Sequence, residues 1–452
     1  MEDDAGTIPQ QNTPSQIKYS DLLSQAVNAV TQERIFVPTN SNTFRPNNVR
    51  SIRIPISVPD GHFIDTHQSF LRFTIKNISA TADATTTIKP DPNYSCVFRR
   101  IRWEGSNGAV LEDLNHVNLL NAVLYQYQVP QDHYKSIASI MNGVSATGAL
   151  KDATALSKGE QFTAHVQLLS SFWNSEKYCP AGWVKGSPLT LELEIDDPAN
   201  CFCVPNASPG AVSYEITNVE LVCQTVYFDS AFNNTFGAML GQIGGVQYHS
   251  TGYNSVVNVI GASNNLNVNI PVRAMSLKGL LYSLQDTATV TNQGSYSLST
   301  RLARTMKDFV QYIGGASYPL RKIDISGTNQ GHMLSEVLKL FNNLHNIHAG
   351  NSLIDGPGST NKSGASAGDA PSAAYYPNGG ADHACAFAFG YLFENFNGQN
   401  MISGLDMSSQ SMPVNLRCNF ETTPTATSIL TTFVHSDVIY TLTADGVISV
   451  TS

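Results

Sequence analysis

Residues 119–127 read LLNAVLYQY and residues 333–341 read MLSEVLKLF. Leu119, Leu120, Val123, Leu124 and Tyr127 fall on Met333, Leu334, Val337, Leu338 and Phe341 at a constant offset of 214 residues. Apolar positions at this spacing lie along one face of a helix. A chain of 452 residues, written elsewhere largely as β-strands, thus carries one helical stripe twice, almost half its length apart. Whatever fold it adopts has to accommodate that repeat.

The flanking strands follow the same order. VNIPVR (268–273) mirrors IRIPIS (52–57), with Pro271 on Pro55. GLLYSL (279–284) mirrors FLRFTI (70–75), so that Leu280, Tyr282 and Leu284 stand for Leu71, Phe73 and Ile75. A two-strand stretch precedes each helix: CVFRRIRWEGSNGAVLEDL, turning at Asn107-Gly108, and DFVQYIGGASYPLRKIDI. Asn-Gly between alternating segments is a strong hairpin signal, because both residues tolerate positive φ. MPVNLRCNF (412–420) then mirrors SPLTLELEI (187–195), and YEITNVELVCQTVYFD and TTFVHSDVIYTL supply late strands. An internal duplication of this kind fixes the fold before any single element does. Many short strands with turn signals between them, and long loops between the later strands, predict an all-β fold of two tandem eight-stranded jelly rolls. Each has one helix inserted after the central hairpin, and an N-terminal helix precedes the pair. The expected domains are an arm and helix over 1–45, a first jelly roll over 46–229, a linker over 230–250, and a second jelly roll over 251–452. The linker segment SAFNNTFGAMLGQI has the composition of a short helix.

Outside these units, residues 1–16 are acidic and rich in Pro, Gln and Asn, which predicts a disordered arm. Tyr19, Leu22, Leu23, Ala26, Val27 and Val30 make one helical face, with Asp21 in its first turn. That face has no counterpart at the start of the second unit, so it is expected to be ordered by something outside its own sandwich. The low-complexity stretches 133–160 and 349–383 are too poor in apolar residues for a core and are expected to crown one end as loops.

Composition narrows the function. Charged residues are 13% of the chain, about half the usual share of about 25%. The net charge is −9, and no basic face is available to displace counterions from nucleic acid, so direct nucleic-acid binding is not expected. The densest basic run, Arg99, Arg100 and Arg102 in FRRIRW, reads as a strand carrying ion pairs. Seven cysteines without framework spacing predict free thiols in a reducing compartment, where sequons such as Asn77-Ile-Ser79 stay unglycosylated. The N-terminus lacks the apolar run of a signal peptide, and no stretch reaches the 18 apolar residues of a membrane helix.

Catalytic motifs fail on context. GASAG (364–368) matches a nucleophile elbow at Ser366 but lies in a low-complexity loop rather than a strand–turn–helix. GVSATG lacks the lysine of a phosphate loop. His345 and His348, with His383 and Cys385, are the only metal-like grouping, and only the first two are at ligand spacing. No catalytic, cofactor or metal residue is therefore assigned. Two alternatives with the same architecture are a bicupin-like tandem enzyme and a carbohydrate-binding protein. The first would want a His-x-His pair, whereas His62 and His67 are five apart. The second would want exposed aromatics, whereas Trp103, Trp173 and Trp183 all fall in the first half.

FIDTHQSFLRFTIKN followed by FRRIRWEGSNGAVLEDLNHVNLLNAVLYQYQ resembles the double-jelly-roll major capsid proteins of tailless icosahedral DNA viruses, of the Polinton-like virus, adintovirus and virophage type and more distantly the adenovirus hexon. The resemblance implies a non-enzymatic virion protein that forms a homotrimer with a pseudo-hexameric outline. Its implied partners are neighbouring capsomers, penton and minor capsid proteins, and an internal membrane where one exists. It also implies synthesis in the host cytoplasm, with assembly there or in the nucleus. The chain is short for that family, which leaves room for only small outer towers.

Overall fold

The computed structural model describes residues 28–452 outside 81–85, 92, 129–136, 138, 144–154, 204–211, 288–297, 299–300, 303–305, 326–329, 343–383, 386, 397–401, 409–412, 422 and 425–426. The first half contains eight principal strands: β1 (Ala29–Phe36), β2 (Ser51–Ile56), β3 (His62–Asn77), β4 (Phe98–Glu104), β5 (Val110–Asn115), β6 (Gln161–Val166), β7 (Leu189–Ile195) and β8 (Tyr214–Phe228). They form two antiparallel sheets, in the orders β1-β8-β3-β6 and β2-β7-β4-β5. Their facing sides bury Leu71, Phe73, Ile75, Ile54, Leu191 and Trp103, and Phe73 meets Phe98 edge-on across the sandwich at 4.9 Å.

The second half repeats this frame strand for strand: β9 (Gly245–Ile260), β10 (Asn265–Ile270), β11 (Leu277–Asp286), β12 (Met306–Ile313), β13 (Ala316–Asp324), β14 (Phe389–Leu392), β15 (Val414–Phe420) and β16 (Ser428–Thr443). Its sheets run β9-β16-β11-β14 and β10-β15-β12-β13, and a short final strand, β17 (Ile448–Thr451), pairs with β16. Among the described residues no strand of one half pairs with a strand of the other. The repeat extends to irregularities. The ladder between β4 and β7 slips between Phe98 and Arg100, and that between β12 and β15 slips between Met306 and Asp308.

Those ladders also correct one alignment. Ile54 pairs with Leu191 and Val268 with Leu416, so Val268 is the counterpart of Ile54 and the prolines do not superpose. Pro55 sits inside edge strand β2, where a missing N–H is tolerated, whereas Pro271 lies just past the end of β10.

The Asn107-Gly108 turn joins β4 to β5 with both residues at positive φ, 63° and 72°. The arginine-rich strand carries its expected ion pairs: Arg100 Nε donates to Asp113 at 2.6 Å, and Arg102 reaches Glu104 at 3.1 Å.

The duplicated stripe forms helices α1 (Val117–Gln128) and, after the linker helix, α3 (Gln330–Leu340). Leu119, Leu120, Val123 and Tyr127 of the first are buried, as are Met333, Val337 and Phe341 of the second. Leu338 is half-buried like its counterpart Leu124, but Leu334 is half-buried where Leu120 is fully buried, so the second copy is seated slightly less deeply. Tyr127 and Phe341, the last residues of the two stripes, pack on each other with ring centroids 5.8 Å apart. The repeats therefore converge at equivalent side chains.

Between the halves, Ser230–Ile243 forms α2, the helix read from its composition. Asp229 caps it by accepting from the Phe232 N–H at 2.8 Å, and Gly244 closes it at φ 81°. Phe232 and Phe236 lay this helix against Phe63 and Trp183.

The expected N-terminal helix falls mostly on residues outside those described, but Val30, the end of its stripe, lies in β1. Ala29–Phe36 pairs along its whole length with Leu221–Phe228. Here the open edge of β8, whose backbone groups need partners, prevails over local helical spacing.

Candidate assembly surfaces

The two jelly rolls meet across a seam that is polar at its centre. Strand β5 of the first half lies against β9 of the second. Glu112 on β5 is buried and accepts from the Ser170 hydroxyl, from the Ser171 N–H at 2.8 Å and from the Phe172 N–H at 3.3 Å. Ser171 then links the halves: its hydroxyl bonds Tyr440 at 2.7 Å, and its carbonyl accepts from Ser250 at 2.6 Å. Phe172 meets Tyr440 edge-on at 5.2 Å, and Trp103 stacks on Trp173 at 4.9 Å just behind. At the far end the Lys185 N–H donates to the Gly446 carbonyl. Gly252 is required at this seam, since a Cβ there would stand 2.7 Å from the Cβ of Ser171.

Burial pushes the Glu112 carboxyl above the usual glutamate range, against the pull of its donors. A carboxyl raised in the fold keeps a proton that the unfolded chain has released, so its contribution to stability falls as pH rises above about 4.3. Glu112→Ala should abolish that slope and cost about 3 kcal/mol, because the N–H groups of Ser171 and Phe172 lose their acceptor inside the seam. Urea midpoints across pH 4–7 check both effects, and a midpoint unchanged at pH 7 would contradict this role for Glu112.

A second buried polar cluster lies within the second half. Lys278 Nζ lies 2.9 Å from Glu394 and 3.4 Å from Asp437. Asp437 also accepts from Ser276 and stands 2.8 Å from His249 Nε2, while Ser403 donates to Glu394 at 3.0 Å. Lys278 and Asp437 are buried, and near the matching place of the first half Asp65, Ser69 and Thr225 are buried as well, with the Ser69 hydroxyl donating to the Asp65 carbonyl at 2.6 Å. Sequence reasoning missed both clusters. The one available signal was a charged residue inside an alternating strand, as in VLEDL and LKGLL.

Ser366, His345, His348 and His383 lie outside the described residues. Among the described residues no group of three or more His, Cys, Asp or Glu is placed to hold a metal. His62 meets Tyr227 with the rings tilted and their centroids 4.8 Å apart, whereas His67 Nε2 contacts the Ser175 carbonyl at 3.0 Å. Trp103 and Trp173 are fully inside, and Trp183 packs on α2, so none offers a sugar a flat exposed ring. Cys96, Cys179, Cys201, Cys223 and Cys418 are buried free thiols. Burial raises Cys179 to about 12.

No protein-family model and no curated protein matches the sequence. Solved structures do match in shape. The PBCV-1 protein Vp54, fitted into a reconstruction of the virophage Sputnik, aligns at a TM-score of 0.61 and 10% identity over 96% of this chain and 99% of its own. The Faustovirus major capsid protein aligns at 0.59 and 9% identity over 93% and 92%. The mavirus major capsid protein aligns at 0.53 and 11% identity over 100% and 96%. The chain has the double-jelly-roll fold of viral major capsid proteins. At such low identity the likeness is one of fold, and it spans nearly the whole chain. The structural neighbours of this double jelly roll are capsid proteins rather than enzymes.

Proposed function

We propose that this chain is a non-enzymatic major capsid protein of a tailless icosahedral DNA virus, and that three copies form a pseudo-hexameric capsomer. The observation that carries the reading is the repeated eight-strand frame. Two similar but unequal sandwiches in one chain allow three copies to fill six positions, and closed cyclic symmetry favours a ring. Nearly end-to-end likeness to major capsid proteins supports the same role. In this reading its place is the virion. Its partners are neighbouring capsomers, penton and minor capsid proteins, and an internal membrane in viruses that have one. Lateral contacts in such an obligate shell bury on the order of 2,000 Å² or more. The first jelly roll is taken to open at β1 and the second at β9, with α2 as the connection. The loops 133–160 and 349–383 are assigned to the outer end.

Light scattering of the purified chain at micromolar concentration should give the mass of a trimer, and negative-stain images should contain hexagonal particles or shells. A stable monomer or dimer would refute the capsomer reading.

A further inference from the structure

The two inserted helices lie on their sandwiches differently, and the sheets beneath them say why. Leu71 pairs with Val166, and its counterpart Leu280 pairs with Tyr391. One step along each ladder, Gly279 occupies the place of Phe70 and Gly390 that of His165. The glycines let α3 close on its sheet. A Cβ on Gly279 would stand 2.0 Å from Leu340 Cδ1, and one on Gly390 would stand 3.3 Å from Leu340 Cδ2. The first half has rings at both places, Phe70 and His165, with centroids 5.6 Å apart. Those rings hold a helix off the sheet. Accordingly α1 lies chiefly against β4 and the turn Tyr94–Val97, whereas α3 lies chiefly against β14.

The displaced helix leaves a cavity of about 620 Å³ between α1, residues from 137 to 142 and the end of β6. That volume is within the range of small-molecule sites, about 300–1,000 Å³. Asn121, Leu124, Tyr125 and Gln128 face it from α1, a second stripe at helical spacing beside the buried one. At the offset of 214, Tyr125 falls on Lys339, which pairs with Glu336 at 2.6 Å. The cavity itself is lined by no Asp, Glu, Lys or Arg among the described residues. Burial, and then Arg72, lowers the pKa of His165, so its imidazole is neutral at pH 7. The Tyr125 hydroxyl and the Asn142 amide bond each other at 3.1 Å, which ties the short turn Ser139–Asn142 to α1. Among the described residues the amides of Gln128, Gln167 and Asn174 have no hydrogen-bond partner, and each keeps both a donor and an acceptor for whatever enters.

We propose that this cavity binds an uncharged sugar, a hexose or an N-acetylhexosamine at the end of a glycan. A sugar hydroxyl donates and accepts, as an amide does, and Leu124, Leu168 and Leu169 offer apolar surface to the C–H faces of a pyranose ring. A phosphate, a carboxylate or an ammonium group would find no opposite charge here to offset its lost hydration. The tryptophans play no part. Residues 137 to 142 belong to the loop 133–160 assigned above to the outer end, and on that assignment the sugar comes from a cell surface. That placement rests on the capsid reading, whereas the binding itself does not.

Saturation-transfer NMR on the full chain tests this, with methyl glycosides of glucose, galactose, mannose, N-acetylglucosamine and N-acetylgalactosamine as probes. Glucuronic acid, N-acetylneuraminic acid and adenosine serve as charged and aromatic comparators. At least one neutral glycoside should receive saturation while the three comparators do not. Gln128→Ala/Asn174→Ala should weaken that binding about tenfold, since two amides are lost. Gln167→Trp should abolish it by filling the space. All three side chains are exposed, so melting curves should match the wild type. A chain that binds none of the neutral glycosides would overturn the proposal, as would a comparator bound equally well. Unchanged binding in both variants would place the sugar elsewhere and overturn it too. None of these results touches the capsid reading, which a monomeric wild-type chain would refute instead.

Discussion

Leu120→Asp is expected to destabilise the first jelly roll by about 4–5 kcal/mol, near the upper end for a single substitution. Leu120 has no exposed surface and lies on the helix face between Leu119 and Val123, both also buried. An aspartate there either keeps its charge without a partner or takes up a proton at a cost, and it leaves the space of the isobutyl group partly empty. In the second half the matching test is Val337→Asp, because Val337 is fully buried. Leu338 falls on Leu124 in the sequence register and is half-buried, so Leu338→Asp should cost distinctly less. Denaturant midpoints separate the three. Equal losses at Val337 and Leu338, or an unaffected Leu120 variant, would mean that the helices are not seated as described.

Lys278→Met should cost about 3–5 kcal/mol, the range for removing one partner from a buried ion pair. The ammonium is the cation between Glu394 and Asp437, whose side chains are 3% and 0% exposed. Its removal leaves two neighbouring carboxylates facing each other away from water. The triple variant Lys278→Met/Glu394→Gln/Asp437→Asn should recover most of the loss, since neutral groups of similar size carry no desolvated charge. A urea midpoint for Lys278→Met within about 1 kcal/mol of wild type would show the cluster to be wetter than its geometry indicates. So would a triple variant worse than the single one.

These side chains mark where the sequence was legible and where it was not. The helix stripes, the Asn107-Gly108 hairpin and the central strands were readable because each buries its apolar face within its own sandwich, and period alone reveals such a face. The opening strands were harder. Gly245–Ile260 is rich in Ser, Asn and Gly, and Ser250 and Gly252 meet Ser171 of the other jelly roll. Ala29–Phe36 shows mixed polarity because it lies at a sheet edge and pairs with a strand almost two hundred residues away. Glu112 and Lys278 looked like ordinary surface charges, since nothing in a strand's local pattern says that another sandwich or a returning loop will cover it.

That long-range pairing has a consequence for how the chain comes into being. In each jelly roll the opening strand pairs with the eighth: Ala29 with Phe228, and Gly245 with Thr443. Loop closure over such separations costs entropy before any contact repays it, so folding is slow for topologies of this kind. During synthesis β1 emerges first yet cannot find its partner until Tyr214–Phe228 has left the ribosome. By then the second jelly roll, with its near-identical frame, is about to follow. The nascent chain therefore passes through an interval in which an unpaired strand and an open sheet edge are both in water, the condition under which chains of different ribosomes capture one another. The helix Ser230–Ile243 begins immediately after the last strand of the first half, capped by its own Asp229. It separates the finished frame from the next one at the moment when confusion between the two would be easiest.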